Sequence, residues 1–105
     1  MSHVKERIEE ILNKNKIVLF MKGDRKFPQC GFSARAVAAL DAVEAEYQTV
    51  NILEDEEIRQ GIKEYANYPT IPQVYINKEF IGDSDIFAEM YESGELKKAV
   101  DSIKG

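Results

Sequence analysis

The sequence predicts an α/β protein in which a mixed four-stranded sheet is covered by helices. Short runs rich in β-branched and aromatic residues, at Ile17–Met21 and at residues 47–52, are typical of strands, and a helical pattern lies between them. Two further strand-like segments, residues 73–77 and 78–81, follow each other directly. A β-α-β unit forms a parallel pair through a right-handed crossover, whereas a hairpin adds antiparallel strands. The expected element order is therefore α-β-α-β-α-β-β-α-α.

The first helix is predicted from apolar residues at helical spacing, with charged residues between them: Val4, Ile8, Ile11 and Leu12. Ser2 is its expected cap, and the helix is expected to end near residues 13–15. Ile17–Met21 is too short for a helix and has the composition of a buried strand. The loop that follows, residues 22–29, contains Gly23 and Pro28, which both disfavour helix.

A second and a third helix are predicted on either side of the second strand. The second covers residues 31–44 and has an apolar stripe at helical spacing: Phe32, Ala36, Val37, Leu40 and Val43. The third covers residues 54–66 and begins with acidic residues, which the helix dipole favours at an N-terminus. Gly61 weakens this helix, and the Asn-Tyr-Pro sequence at 67–69 ends it.

The C-terminal part is predicted to contain the hairpin and two more helices. Asn77 and Lys78 are expected at the hairpin turn. Gly82 leads into three candidate N-cap residues of the fourth helix: Asp83, Ser84 and Asp85. Gly94 is expected to end that helix, before a fifth helix that carries Leu96, Val100 and Ile103. We expect about five helices and a single domain, residues 1–105.

Composition and charge exclude several classes of function. Hydrophobic residues make up 44% and charged residues 31%, which is ordinary for a globular protein. A formal net charge of −5 argues against general nucleic-acid binding. The apolar run Ile17–Met21, which no other apolar run exceeds in length, is far shorter than the roughly 20 residues of a membrane-spanning helix. One cysteine cannot build a disulfide framework, so we expect a reducing cytoplasm, with the mature form of an organellar protein as the alternative.

Cys30, the single cysteine, is the candidate reactive group. It lies beyond the first predicted strand and just before a helix, where free N–H groups and the helix dipole favour a thiolate. In open α/β sheets, sites lie beyond the carboxyl ends of the strands. A buried structural cysteine is the alternative. The single imidazole, His3, is distant from Cys30 in sequence. Ser33 stands where a Cys-x-x-Cys motif has its second cysteine, so a mixed disulfide at Cys30 can be resolved only by an external thiol.

Several motifs, in order along the chain, carry a resemblance to a known family. They are Lys22-Gly23, Cys30-Gly31-Phe32-Ser33, Tyr68-Pro69-Thr70-Ile71-Pro72-Gln73, Gly82-Asp83-Ser84-Asp85-Ile86 and the segment from Glu89 to Leu96. Over essentially its whole length the chain resembles a CGFS-type monothiol glutaredoxin. The resemblance implies the thioredoxin fold, glutathione binding, a [2Fe–2S] cluster that bridges two subunits, and a cis proline, Pro72, before the third strand.

The resemblance also implies a role for six residues of this sequence. Cys30 matches the redox thiol and cluster ligand. Lys22 matches a lysine near that sulfur and the glutathione carboxylate, and Arg59 matches a basic residue that reaches the glycine end of glutathione. Ile71 matches the position whose backbone pairs with the tripeptide. The pair at the start of the fourth helix, Ser84 and Asp85, matches the residues that hold the γ-glutamyl end. Each role is chemically reasonable, although solvated surface charges and a plain helix cap are alternatives for the charged residues.

The sequence departs from the family pattern at a few positions. Asp83 replaces the second glycine of a usual Gly-Gly pair, which leaves its effect on glutathione affinity open. Ser84 stands where many members have cysteine, Asp24-Arg25 replaces a common Thr-Pro, and Tyr68 takes a usual tryptophan position. None of these changes removes a group that the implied chemistry requires.

Two functional hypotheses follow, with a third as the alternative to both. In the first, a homodimer carries a [2Fe–2S] cluster and delivers it to apo iron–sulfur proteins or a BolA-like partner. Such a cluster takes four thiolates, which two copies of Cys30 and two glutathiones would supply. In the second, Cys30 removes glutathione from proteins as a weak glutathione-dependent oxidoreductase, and whether the chain is an enzyme stays open. The third is an interaction module without chemistry.

Overall fold

The computed structural model describes residues 3–82 and 84–104. Within these residues, five helices and four strands follow one another in the predicted order. They are α1 (Val4–Lys14), β1 (Ile17–Met21), α2 (Gly31–Ala42), β2 (Gln48–Asn51), α3 (Glu56–Ala66), β3 (Gln73–Ile76), β4 (Glu79–Gly82), α4 (Ser84–Ser93) and α5 (Glu95–Lys104). The predicted fold class is confirmed.

The four strands form one mixed sheet in the order β2-β1-β3-β4. β1 and β2 are parallel, with Phe20 opposite Val50, whereas β3 is antiparallel to both β1 and β4. Phe20 also lies opposite Gln73 of β3, so β1 is paired along both edges. The parallel pair and the hairpin are therefore joined through β1, as the sequence pattern predicts.

Both faces of the sheet are covered by helices, which explains why every residue of β1 is buried. Ile17, Leu19 and Met21 point to one face, where they pack with residues of α2, α4 and α5. Val18 and Phe20 point to the other face, where they pack with residues of α1 and α3. The uninterrupted apolar sequence of β1 thus reflects a strand between two helix layers.

Some helix boundaries differ from the predicted ones. The predicted cap Ser2 lies outside the described residues, and the residue before the first turn of α1 is His3. The third helix begins at Glu56 rather than at residue 54, because the Asp55 carboxylate accepts a hydrogen bond from the Ile58 N–H and caps the first turn. The second helix ends at Ala42, two residues early, and the chain turns at Glu44 with φ of +57°.

Two predicted turns are confirmed by their backbone angles. Asn77 and Lys78 have φ of +52° and +69°, which is the geometry of a type I′ hairpin turn. Gly94 has φ of +87° and its N–H donates to the Tyr91 carbonyl, so it ends α4 as expected. The Ile71–Pro72 peptide bond is cis, as the resemblance implied.

Gly61 has a packing role that helix propensity could not reveal. A Cβ atom on Gly61 would lie 2.7 Å from Cγ2 of Val4, so the missing side chain lets α3 approach α1 closely. The close packing of α3 on α1 therefore compensates for the low helix propensity of glycine at this position.

None of the helices in the described part of the chain is both long and apolar enough to cross a membrane.

Candidate functional site

Cys30 is the N-cap residue of α2 and is half-buried. The Ser33 backbone N–H lowers the pKa of its thiol most strongly, burial opposes this shift, and the Phe32 N–H, the Lys22 charge and the Ser33 hydroxyl lower the pKa further. A thiolate is therefore favoured at this position. The alternative of a fully buried structural cysteine is wrong, because part of the side chain is accessible.

The loop between β1 and α2 is held in a compact hairpin-like shape. Gly23 bridges to Pro28, and the Gln29 N–H donates to the Lys22 carbonyl at 2.8 Å. Gly23 has φ of +90°, and a Cβ atom there would lie 2.4 Å from the Phe27 carbonyl oxygen. Only glycine fits this position without moving the backbone. The conformation of the loop that leads to Cys30 therefore depends on Gly23.

Ser33 connects this loop to the thiol. Its side chain is fully buried, and its hydroxyl oxygen accepts a hydrogen bond of 3.1 Å from the Lys22 N–H. The same hydroxyl lowers the pKa of the Cys30 thiol. Ser33 therefore faces the sulfur, as the second cysteine of a Cys-x-x-Cys motif would. Its hydroxyl also positions the Lys22 backbone.

A cleft of about 520 Å³ opens beside Cys30 and contains five of the six predicted site residues. It is lined by Lys22, Cys30, Phe32, Arg59, Lys63, Tyr68, Pro69, Thr70, Ile71, Pro72 and Asp85. The sixth predicted residue, Ser84, begins α4 next to Asp85, and its side chain lies outside the described part of the structure, as does Asp83. The effect of Asp83 on glutathione affinity therefore stays open.

The charge of the cleft is opposite to that of the chain. Three cationic side chains and one carboxylate line it, although the formal net charge of the protein is −5. Arg59 and Lys63 come from α3, whereas Asp85 comes from α4, which packs on the other face of the sheet. The cleft thus offers cations and a carboxylate from two different layers of the fold.

Arg59 has a buried hydrogen-bond donor that no described residue satisfies. Its Nε is buried and has no hydrogen-bond partner within the described residues. Its Nη1 lies 3.8 Å from Oε2 of Glu56, which is a long contact for an ion pair with a largely exposed glutamate. The guanidinium therefore keeps donor capacity for a ligand in the cleft.

Lys63 is a site residue that the sequence analysis missed. It follows Arg59 by four residues in α3, so the two side chains lie on the same face of the helix. That spacing was the available signal, but it became meaningful only with Arg59 placed in the cleft.

Gln73 is a second missed residue, and it supports the wall of the cleft. Its side chain is fully buried at the start of β3. The amide nitrogen donates to the carbonyls of Tyr68, at 3.1 Å, and Thr70, at 3.3 Å, and its oxygen accepts from the Tyr75 hydroxyl at 3.2 Å. A buried amide with these bonds holds the segment around Pro69 in place.

The structure brings no second catalytic partner to Cys30 within the described residues. His3 lies at the start of α1, outside the cleft. No group of three or more His, Cys, Asp or Glu side chains in residues 3–82 and 84–104 could hold a metal ion. The described residues thus place neither an imidazole nor a metal-binding cluster in the cleft beside Cys30.

Comparison with known proteins identifies the family to which the chain is related. The glutaredoxin family model matches residues 17–81. The chain is 52% identical over 99 residues to the uncharacterized monothiol glutaredoxin ycf64 of Porphyra purpurea, covering 94% of this chain and 92% of that protein. It is 49% identical to the chloroplastic monothiol glutaredoxin-S14 of Arabidopsis thaliana, covering 93% of this chain and 57% of that protein.

A solved structure has the same fold. The solution structure of reduced poplar apo GrxS14 superimposes with a TM-score of 0.82 at 48% sequence identity, covering 94% of this chain and 91% of that one. Since the family model spans more than half of the sequence and these relatives match along nearly all of it, the chain belongs to the glutaredoxin family, among its monothiol members.

Proposed function

We propose that the cleft binds glutathione and that two copies of the protein use it to carry a [2Fe–2S] cluster to acceptor proteins. The observation that carries this proposal is the convergence of the Cys30 thiol with Lys22, Arg59 and Asp85 in one cleft. Glutathione is a tripeptide with two carboxylates, one amine and one thiol. The cleft provides three cations for its carboxylates, one carboxylate for its amine, and the neighbouring Cys30 thiol.

The glycine end of glutathione is assigned to the cationic side of the cleft. Lys22 and Arg59 neutralise its carboxylate, and Lys63 adds a third positive charge nearby. Charge-assisted hydrogen bonds of this kind are stronger than neutral ones. The unpaired Nε of Arg59 supports the assignment, because a bound carboxylate would satisfy a buried donor.

The peptide backbone of glutathione is assigned to Ile71. The β1–β3 ladder begins with Gln73 opposite Phe20, so Ile71 lies beyond the last paired residue and lines the cleft. Within residues 3–82 and 84–104 the Ile71 N–H and carbonyl have no backbone partner, so they can pair with an extended peptide, as in β-strand addition. The hydrogen bonds of Gln73 to Tyr68 and Thr70 support this wall of the cleft.

The γ-glutamyl end is assigned to the start of α4. Asp85 lies in the first turn and reaches the cleft, where its carboxylate can accept from the α-amino group. The backbone N–H groups of Ser84 and Asp85 lie at a helix N-terminus, which is a favourable place for the α-carboxylate. With both ends held, the glutathione sulfur lies near Cys30.

The cluster is proposed as cargo between two copies. Four thiolates commonly hold a [2Fe–2S] cluster, and each copy contributes Cys30 and one glutathione. Cys30 fits the role of a cluster ligand, because it is partly accessible and its lowered pKa favours the thiolate, which is the form that binds metal. The two glutathione ligands are not covalently attached to the protein, which favours transfer of the cluster to a BolA-like protein or an apo iron–sulfur protein.

Anaerobic reconstitution tests the carrier function. The protein is treated with iron, sulfide and glutathione, and visible absorption is recorded together with oligomeric mass. We expect a chromophore in a dimer that requires both glutathione and Cys30. An Arg59→Ala variant should weaken glutathione binding, while Lys97→Ala on α5 serves as a control outside the cleft. A chromophore that forms without glutathione would contradict the proposal.

Deglutathionylation is the second candidate function, and the lowered pKa of Cys30 favours it. The Cys30 thiolate attacks the glutathione sulfur of a mixed disulfide, so that a Cys30–glutathione bond forms and the protein thiolate leaves. A glutathione thiolate then attacks that bound glutathione sulfur, releases glutathione disulfide and regenerates Cys30. Steady turnover that is lost in Cys30→Ser, without cluster formation, would favour this function over cluster transfer.

The compartment is proposed from chemistry and relatives together. A thiolate that must stay reduced suits the cytoplasm, which we propose as the location. The Arabidopsis relative and a rice relative, monothiol glutaredoxin-S7, are both named as chloroplastic, so an organelle interior is the alternative. Fractionation of cells that produce the tagged full-length protein would distinguish the two.

A further inference from the structure

Three side chains meet on the surface, and one of them comes from the loop that leads to Cys30. Nη2 of Arg25 lies 2.6 Å from Oδ1 of Asp41, and the Tyr47 hydroxyl donates to the same oxygen at 2.8 Å. The Arg25 guanidinium also lies over the Tyr47 ring, with Cζ 4.5 Å from its centroid. Each of the three side chains therefore contacts the other two.

We propose that Arg25, Asp41 and Tyr47 form a clamp that positions residues 22–29, and that Arg25 is thereby a positioning residue for the thiol site. Asp41 lies in the last turn of α2, and Tyr47 directly precedes β2. The clamp thus joins the tip of the loop to two elements of the rigid framework.

The clamp is more than an isolated ion pair. An exposed ion pair alone contributes little to a structure. Here one carboxylate oxygen is shared by a charged donor and a hydroxyl, and the guanidinium stacks on an aromatic ring. Burial, and then the bond to Asp41, raises the pKa of the Tyr47 hydroxyl, so this donor keeps its proton at neutral pH.

The loop transmits the position of its tip to the site. The Asp24 carboxylate accepts from the N–H groups of Lys26 and Phe27, which folds the tip around Arg25. At its base, the loop is closed by the Gln29 N–H and the Lys22 carbonyl. Lys22 lines the cleft, and Gln29 directly precedes Cys30, so movement of the tip displaces both ends of the loop.

Two variants separate positioning from a simple charge effect. Arg25→Ala removes a positive charge and Asp41→Ala a negative one, so a pure field effect on glutathione, an anion, has opposite signs in the two variants. A positioning effect has the same sign in both. Lys97→Ala is the matched control, because Lys97 forms an ion pair of similar exposure with Asp101 on α5. Arg25→Lys retains the charge without the planar guanidinium.

The test uses the apo protein and two measurements. Amide hydrogen exchange at Phe27 and Gln29 should accelerate about tenfold in both alanine variants, while exchange at Leu19 in β1 stays unchanged. The glutathione dissociation constant, from an NMR titration, should rise about threefold in both. Arg25→Lys should recover part of each loss, and Lys97→Ala should change neither measurement.

The outcomes are distinguishable. Unchanged exchange in the loop, equal acceleration at Leu19, or opposite shifts of the dissociation constant in the two alanine variants would each overturn the clamp. The glutathione measurement rests on the function proposed above, whereas the exchange measurement does not. If the wild-type protein fails to bind glutathione while loop exchange accelerates as expected, the clamp stands and the proposed function fails.

Discussion

The first turns of α2 and α3 both have free backbone N–H groups, but their N-cap residues differ. At α3 the cap residue is Asp55, which accepts from the Ile58 N–H at 3.1 Å, and two glutamates follow in the first turn. At α2 the cap residue is Cys30, and the first turn contains no acidic residue. Free N–H groups at a helix start stabilise whichever anion is present. In α3 that anion is the Asp55 carboxylate, which caps the helix, and in α2 it is the Cys30 thiolate, which borders the cleft.

The surroundings of the two caps extend this difference. The Asp55 carboxylate is also bound by the Arg7 guanidinium, which joins α1 to α3 and lowers the pKa of Asp55. Cys30 has Lys22 nearby, but it faces a cleft with space for a ligand. A cap that is closed by a counter-charge is structural, whereas one that opens to a cleft remains available for chemistry.

Replacing Cys30 should have the largest effect on function and a small one on stability. We expect Cys30→Ser to lose all glutathione-dependent cluster assembly and all deglutathionylation. Its free energy of unfolding should change by less than ~0.5 kcal/mol, because serine is a favourable N-cap residue. Reconstitution and chemical denaturation measure the two effects. A loss of stability of several kcal/mol would show that the thiol at α2 is structural after all.

Replacing Asp55 should have the converse effect. Asp55→Ala should reduce the free energy of unfolding at pH 7 by about 1–2 kcal/mol, since it removes a helix cap and the partner of Arg7. Denaturation in urea measures this loss. Asp55→Ser, which keeps a capping oxygen, is the control and should lose less. The alkylation rate of Cys30 should stay within about twofold of wild type, and a larger change would contradict the separation of the two caps.

The stabilisation by Asp55 should depend on pH. Arg7, and then the N–H groups of the first turn, lower the pKa of the folded Asp55 below its unfolded value of roughly 3.9. Its contribution is therefore fully present above the unfolded pKa and disappears as pH falls through the folded pKa. The difference in unfolding free energy between wild type and Asp55→Asn should shrink between pH 5 and the acid limit of folding. A difference that stays constant over that range would contradict the ion pair.

The charge of Lys22 should have the smallest effect. Lys22→Ala should raise the pKa of the Cys30 thiol and slow its alkylation at pH 7 about threefold, because a partly exposed charge contributes ~1 kcal/mol or less. Lys26→Ala is the control, since Lys26 is exposed in the same loop but does not line the cleft. High salt should reduce the difference between wild type and Lys22→Ala. Equal slowing in both variants would indicate a general field of the loop.

Local patterns predicted much of the fold, because they depend on short-range chemistry. The strand at Ile17–Met21, the turn at Asn77 and the stop at Gly94 have the predicted positions. The α3 boundary was misplaced because two acidic residues and Asp55 all favour a helix start, and only the hydrogen bond to Ile58 selects among them. Gly61 was considered a weakness of α3, since its contact with Val4 exists only when α1 and α3 pack together.

The sequence by itself determined the order of the elements, the thiol at a helix start and the absence of a second cysteine. The family resemblance then indicated which distant residues to expect near that thiol. Only the tertiary structure decided that Arg59 and Lys63 from one helix layer meet Asp85 from the other, and that Arg25 reaches Asp41. Periodicity assigns a residue to a face of its own element, whereas strand order and layer packing decide which faces meet.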